Sequence, residues 1–326
     1  MTTLQKTKGL KIPIVYASWT STPNMTTARC NLAGAGTQIA TLAFGGCSSP
    51  TTCALTCNES YNGTSWTAGG VLNTGRQNLA GAGTNTAALA FGGFTTVVSG
   101  ATEKYNGTTW TSNPTSLVTS RCGLGGLGAT NTAVIAFGGF TTVAVSCSEN
   151  WNGTTWTANP TAMTTARQNL GGAGTNTAAI AFGGGPTAVT CTETWNGTTW
   201  ATNPIAITTA RFGLKGSGTS TTALAFGGTG GLSTGQTESY NATAWTSVSS
   251  MSTVRAGHGN AGTSNTSTLA FAGATDISTV TNTTEIFYRD SQYSQATLTC
   301  GDIWFNDTFG VLCYYNGTTI KTVTQA

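Results

Sequence analysis

The hexapeptide YNGTTW occupies Tyr105–Trp110, and close copies recur along the chain. They read YNGTSW at Tyr61–Trp66, WNGTTW at Trp151–Trp156 and Trp195–Trp200, YNATAW at Tyr240–Trp245, and YNGTTI at Tyr315–Ile320. Asn-Gly between strand-forming residues is a strong hairpin signal, so each copy predicts two antiparallel strands around a two-residue turn. With the turn at Asn62-Gly63, Tyr61 is expected opposite Thr64 and Glu59 opposite Trp66. The interval from Glu to Trp is seven residues in all five complete copies, starting at Glu59, Glu103, Glu149, Glu193 and Glu238. So constant a register predicts a hairpin packed on both faces. Asn62, Asn106, Asn152, Asn196, Asn241 and Asn316 also satisfy the glycosylation sequon. The N-terminal MTTLQKTKGLKIPIVYASWT lacks the apolar stretch of a secretory signal, so the sequon is read as a turn and the following Thr as a strand residue.

The hexapeptide sits inside a longer repeat. Trp19, Trp66, Trp110, Trp156, Trp200 and Trp245 step by 44 to 47 residues, and Arg29, Arg76, Arg121, Arg167, Arg211 and Arg255 keep the same step. Phe44, Phe91, Phe137, Phe182, Phe226 and Phe271, each opening FGG or FAG, repeat it, as do Glu59, Glu103, Glu149, Glu193, Glu238 and Glu285. Each unit reads as four short strands: a small-residue segment such as NLAGAGT, an apolar TAALAFGG, a TExYNG strand and a Trp strand. Four strands in about 45 residues match a propeller blade. The first Trp strand, Tyr16–Thr20, has no FGG strand before it, and the last unit, Arg255–Tyr288, has no Trp strand. The N-terminal strand therefore supplies the outer strand of the sixth blade. The prediction is an all-β, six-bladed propeller of four-stranded antiparallel blades, closed by that strand, with a small C-terminal β-meander. Residues 1–14 are read as a tail, 15–290 as the propeller and 291–326 as a separate element.

Composition agrees with many short strands. Of 326 residues, 44 are Gly and only 7% are charged, while 9 Trp, 8 Tyr and 12 Phe are too many for a disordered chain. A net charge of +3, scattered apart from Lys6, Lys8 and Lys11, does not build a nucleic-acid groove. No apolar run is long enough to span a membrane. Every Glu and six of seven Arg keep a repeat position, which suggests one Arg–Glu pair per blade that anchors strands. The alternative is a ring of Arg around the channel that binds an anion. Nine cysteines leave at least one unpaired within the chain. Cys30, Cys122, Cys57, Cys147 and Cys191 hold repeat positions and read as small buried hydrophobes. Cys47, Cys53 and Cys57 cluster near one loop, without the His that a metal site would want, and are read as a disulfide or free thiols. No cofactor and no metal are expected.

Variation marks where a ligand could bind. From the Phe of FGG to the next Glu the interval runs 15, 12, 12, 11, 12 and 14 residues, so the loop between the second and third strands differs from blade to blade. In an antiparallel blade that loop shares a face with the connection to the next blade, and the Asn-Gly turns fall on the opposite, uniform face. Candidate binding residues on the variable face are Phe94, Phe140, Pro186, Leu232 and Asp276, with Phe94 and Phe140 as stacking groups or as packing on their own blades.

The order double glycine, aromatic, Trp, Arg over residues 15–290 resembles the kelch repeat. Some kelch-bearing proteins are copper oxidases, but that site needs two His and this chain has only His258, which is read as structural. The Asp residues Asp276, Asp290, Asp302 and Asp307 do not form a glycosidase pair in one pocket, and no triad, phosphate loop or dinucleotide fingerprint is present. No catalytic residue is assigned.

After Asp290 the period breaks. Gly301–Ala326 reads as strands at Asp302–Asn306, Val311–Tyr315 and Thr318–Val323. With Gly301, Asp302, Trp304, Asn306, Tyr315, Asn316 and Gly317, it resembles an element common in tail-fibre and other appendage proteins of tailed bacteriophages, departing from it at Cys313 and Ile320. The resemblance implies a non-enzymatic virion protein, a tail fibre, spike or capsid fibre made in the host cytoplasm. Its implied partners are other virion proteins and a host-surface glycan or protein, with no nucleic acid, no membrane insertion, and a homo-oligomer left open. A purely structural capsid or tail decoration protein and a kelch-like polysaccharide-active enzyme are the alternatives.

Overall fold

The structure is a computed structural model that describes residues 16–49, 52–290, 303–306, 311–315 and 320–322. It is all-β, with no helix among the described residues. Six four-stranded antiparallel sheets form a six-bladed β-propeller. The blades span residues 33–68, 80–113, 125–158, 171–203, 215–248 and 259–290. Within blades one to five the strands lie in chain order from the inner strand to the outer one. In the sixth, Tyr16–Thr22 takes the outer place beside Thr284–Asp290. The ring is therefore closed by the N-terminal strand. Ser18–Phe287 forms one compact unit.

Small residues on the inner strands follow from how closely the blades approach at the axis. A Cβ added to Gly81 would stand 2.6 Å from Phe44 Cζ and 2.8 Å from the Gly34 carbonyl oxygen of the preceding blade. At Gly216 the same atom would meet Phe182 Cζ at 2.4 Å. The FGG phenylalanine thus reaches under the next blade's inner strand, and a side chain there would wedge the blades apart.

The outer strands close a second ring of contacts. Each repeat Trp packs on the FGG phenylalanine of the blade before it: Trp110 on Phe44 at 4.7 Å between centroids, Trp156 on Phe91 at 4.9 Å, Trp200 on Phe137 at 5.2 Å and Trp245 on Phe182 at 5.0 Å. Trp66 on Phe271 and Trp19 on Phe226, both at 5.2 Å, complete the circle. Trp19 also donates from Nε1 to Thr237 Oγ1 at 3.0 Å, so the N-terminal strand occupies the same seat as every other outer strand.

The hairpins differ from the expected register. Tyr61 pairs with Trp66 and Glu59 with Ala68; likewise Tyr105 pairs with Trp110 and Glu103 with Ser112. The connection is a four-residue loop, not a two-residue turn. Only the glycine takes positive φ, 96° at Gly63, and the Asn organises the loop with its side chain. Asn62 Oδ1 accepts the backbone N–H groups of Thr64 and Ser65 at 2.9 and 2.8 Å and the Thr64 hydroxyl at 2.9 Å. The sequon Thr is therefore a loop residue that holds the Asn, not a strand residue. The side-chain acceptor adds to the backbone hydrogen bond from Asn62 N–H to the Ser65 carbonyl at 3.2 Å, which is how Asn stabilises such loops.

The C-terminal region contains a three-stranded antiparallel meander, Ile303–Asn306, Val311–Tyr315 and Ile320–Thr322, in chain order. Trp304 pairs with Cys313 and Tyr315 with Ile320. The expected sixth Asn-Gly turn at Asn316-Gly317, together with Gly301, Asp302 and Asp307, lies outside the described residues, as do Lys6, Lys8 and Lys11.

Candidate functional site

The strand directions assign the two faces of the ring. Strand-two-to-strand-three loops and the connections between blades lie on one face; strand-one-to-strand-two loops and the Asn loops lie on the other. The outer strand of blade six begins at Tyr16 on the Asn-loop face, and the third strand of that blade ends at Asp290 on the same face. The chain thus enters and leaves the ring opposite the variable loops.

On the variable face the blades end in small, ordered loops. Phe94 bridges both Gln77 and Val98, and Phe140 bridges both Cys122 and Ala144. Both phenylalanines are half-buried. Pro186, Leu232 and Asp276 are exposed at loop tips, with Leu232 at 89%. Asp276 is already engaged: its Oδ1 accepts the N–H groups of Ser278 and Thr279, both at 2.7 Å. Those bonds, the Ser278 amide foremost, hold its carboxyl down at about 2. Sequence reading named only Leu232 among the aliphatic tips. Val97, Val143, Leu232 and Ile277 project from these loops, and Val71, Val118 and Val254 from the neighbouring connections. Of the strongly exposed large aliphatic residues among those described, only Ile39 lies on the other face.

Beneath that face each blade buries one Arg with one Glu. The Nη–Oε1 distances are 3.3 Å for Arg29–Glu59, 2.8 Å for Arg76–Glu103 and Arg167–Glu193, 2.7 Å for Arg211–Glu238 and 2.6 Å for Arg255–Glu285; Arg121 pairs with Glu149. Backbone groups meet most of what remains, although Nε of Arg29, Arg76, Arg121, Arg167 and Arg211 is buried without a hydrogen-bond partner. Arg167 donates to the Gly183 and Cys191 carbonyls, while Glu193 accepts the amides of Thr164 and Thr165. Each pair therefore stitches the connection entering a blade to its second and third strands. Burial lowers the pKa of Arg76, Arg167, Arg211 and Arg255, with the paired Glu opposing the shift. All six Arg are buried and none lines the channel, so the alternative of an anion-binding Arg ring does not hold.

Two residues beyond each Arg the chain turns through the left-handed region. Asn31, Asn78, Gly123, Asn169, Gly213 and Gly257 have φ between 52° and 66°. Their backbones form a closed circle of six hydrogen bonds around the axis. Asn31 N–H donates to Gly257, Gly257 to Gly213, Gly213 to Asn169, Asn169 to Gly123, Gly123 to Asn78 and Asn78 to Asn31, at 2.6 to 2.9 Å. Sequence reading missed this belt. Its signal was a position, two after each repeat Arg, that admits only Asn or Gly, the residues that tolerate αL.

Below the belt the inner strands enclose a central channel of about 580 Å³, lined mostly by Gly and Ala. Two residues break the repeat at the junction of blades five and six. Lys215 stands where the other blades have Ala33, Ala80, Gly125, Gly171 and Gly259, and it is the one charged side chain on the described lining. His258 replaces the leucine of Leu32, Leu79, Leu124, Leu170 and Leu214. It is buried, lies 5.5 Å from the Phe226 ring between centroids, and leaves both ring nitrogens without a hydrogen-bond partner. Burial, then the cations Arg255, Lys215 and Arg211, hold its pKa well below the ordinary histidine value.

Of the cysteines, Cys47 meets Cys30: their sulfurs are 3.1 Å apart across a reciprocal backbone bridge. No other blade places Cys at both bridge positions. The side chain of Cys53 lies outside the described residues. Among those residues no helix is long and apolar enough to cross a membrane.

The fold and the repeated Arg–Glu scaffold define a six-bladed propeller whose symmetric interior is structural and whose departures from symmetry lie in one face and one channel. No protein-family model matches the chain, and no curated protein matches it.

Proposed function

We propose that the protein is a non-enzymatic structural protein of a bacteriophage virion that displays its propeller for contact with the host surface. The observation that carries this reading is the polarity of the ring. The blade-six strands begin at Tyr16 and end at Asp290 on the uniform Asn-loop face, which leaves the variable loops of the opposite face clear of the points where the chain joins the ring. The resemblance of the C-terminal element to phage appendage proteins, and of the repeat to kelch, supplies the context. The buried, six-fold Arg–Glu pairs offer no asymmetric catalytic constellation, whereas the loop tips differ in sequence from blade to blade. A glycan or protein on the host surface is the ligand class this face suits.

A second reading has one observation in its favour. Seven exposed aliphatic residues on a single face are more typical of a fixed protein contact than of glycan recognition. A decoration protein seated on the shell or tail would use the same face permanently.

Mass spectrometry of purified particles tests the shared premise: the protein is expected among virion components, and its absence would sink both readings. Competition with adsorption then separates them. Purified full-length protein is expected to block phage adsorption, and Leu232→Ser with Ile277→Ser to weaken that block. If wild-type protein leaves adsorption untouched while remaining on washed particles, the decoration reading replaces host recognition.

A further inference from the structure

We propose that the central channel is a binding site for a small monocarboxylate, with Lys215 as its counter-charge. The channel has the room, about 580 Å³, and its walls of glycine and alanine leave space that larger side chains would have filled. Five of six blades keep Ala or Gly at the position where Lys215 stands. A structural role would predict a partner, as at every repeat Arg, but Lys215 has none among the described residues. Each repeat Glu is buried against its own Arg and backbone amides, so none of the six is free to serve it.

Lys215 is half-buried among the inner strands, and an ammonium with reduced access to water and no anion beside it is costly. That burial lowers its pKa to about 8, which leaves the amine mostly protonated at neutral pH. The second departure from the repeat lies beside it: His258 is neutral, buried and unpartnered, and adds no negative charge. The junction of blades five and six thus holds one uncompensated cation facing an open channel. One negative charge matches it, whereas a phosphate dianion would bring a second charge with nothing to neutralise it.

This site is independent of the virion reading, and either can fail alone. Isothermal titration of the full chain at pH 7 with acetate, lactate, glucuronate, glucose and inorganic phosphate provides the test. At least one of the three carboxylates is expected to bind saturably at one site, with glucose and phosphate weaker. Lys215→Met keeps the length and removes the charge; it is expected to weaken the carboxylate about tenfold or more, while Lys215→Arg retains binding. Lysine acylation read by mass spectrometry should show Lys215 protected by the bound acid. Absence of saturable binding by all three carboxylates, equal binding to Lys215→Met in a variant that still unfolds cooperatively, or tighter binding of phosphate would each overturn the proposal.

Discussion

Each Arg–Glu pair places opposite charges where little water reaches, held by the ion pair and by backbone carbonyls and amides, while Nε of five of the six Arg is left without a partner. Removing one partner from such a pair typically costs about 3–5 kcal/mol, because the other charge is left buried. His258 is the reverse case, a polar ring in a leucine's seat with no partner for either nitrogen. The seat itself suits Leu: a Cβ at Gly45 would lie 2.8 Å from Leu79 Cδ2, and one at Gly227 lies 2.5 Å from His258 Cε1. His258→Leu is therefore expected to stabilise the fold by about 1–2 kcal/mol, raising Tm by a few degrees in thermal denaturation. The pH dependence has a definite sign. His258 stays neutral in the folded ring but takes up a proton in the unfolded chain below about 6.5, so wild-type stability should fall as pH drops through that value. Denaturation series from pH 8 to 5 should show this limb flattened in the variant; an unchanged slope would contradict the assignment. The Arg and Glu positions were visible in sequence as period-locked charges. The missing partner of His258 was not, because it depends on what surrounds the side chain.

At the scale of the element, the Asn loop shows how close registers can be confused. Period and residue types were legible, and Asn with Gly did mark the turn. A two-residue and a four-residue loop nevertheless place the same letters between strands, and the choice rests on a side-chain acceptor. Asn62, Asn106, Asn152, Asn196 and Asn241 all accept two consecutive backbone N–H groups. Blade five tests the remaining requirement, because Ala242 occupies the glycine position at φ 72° and is exposed. Ala242→Gly should relieve that conformation and stabilise by about 0.5–1 kcal/mol, after the greater freedom of glycine in the unfolded chain is subtracted. Urea denaturation checks it, and a destabilised variant would show that the loop tolerates alanine without strain.

For the whole molecule, closure matters more than any one blade. Three circles pass through all six units: the αL belt, the Trp–Phe contacts and the inner-strand packing. The N-terminal strand completes the second circle, with Trp19 packed 5.2 Å from both Phe226 and Phe287. Deleting residues 1–22 uncovers those rings and exposes the third strand of blade six as an unpaired edge. Loss of a buried Trp alone typically costs about 3–5 kcal/mol. The truncated chain is expected to lose monomer to aggregates and to melt at lower temperature, as read by light scattering after size exclusion and by thermal denaturation. A monomer with unchanged Tm would refute closure by this strand.

The sequence by itself determined the number of blades, the strand order and the exchange of the outer strand between the chain's two ends. Those properties follow from periodic chemistry, because a repeat that cannot bury its own face must stack on a copy of itself. Tertiary structure alone decided the hairpin register, the belt of six αL residues, the meeting of Cys30 with Cys47, and the isolation of Lys215 in the channel. Each of these depends on groups distant in the chain that meet only once the ring is closed, and a sequence states which residues exist without stating which of them will lack a partner.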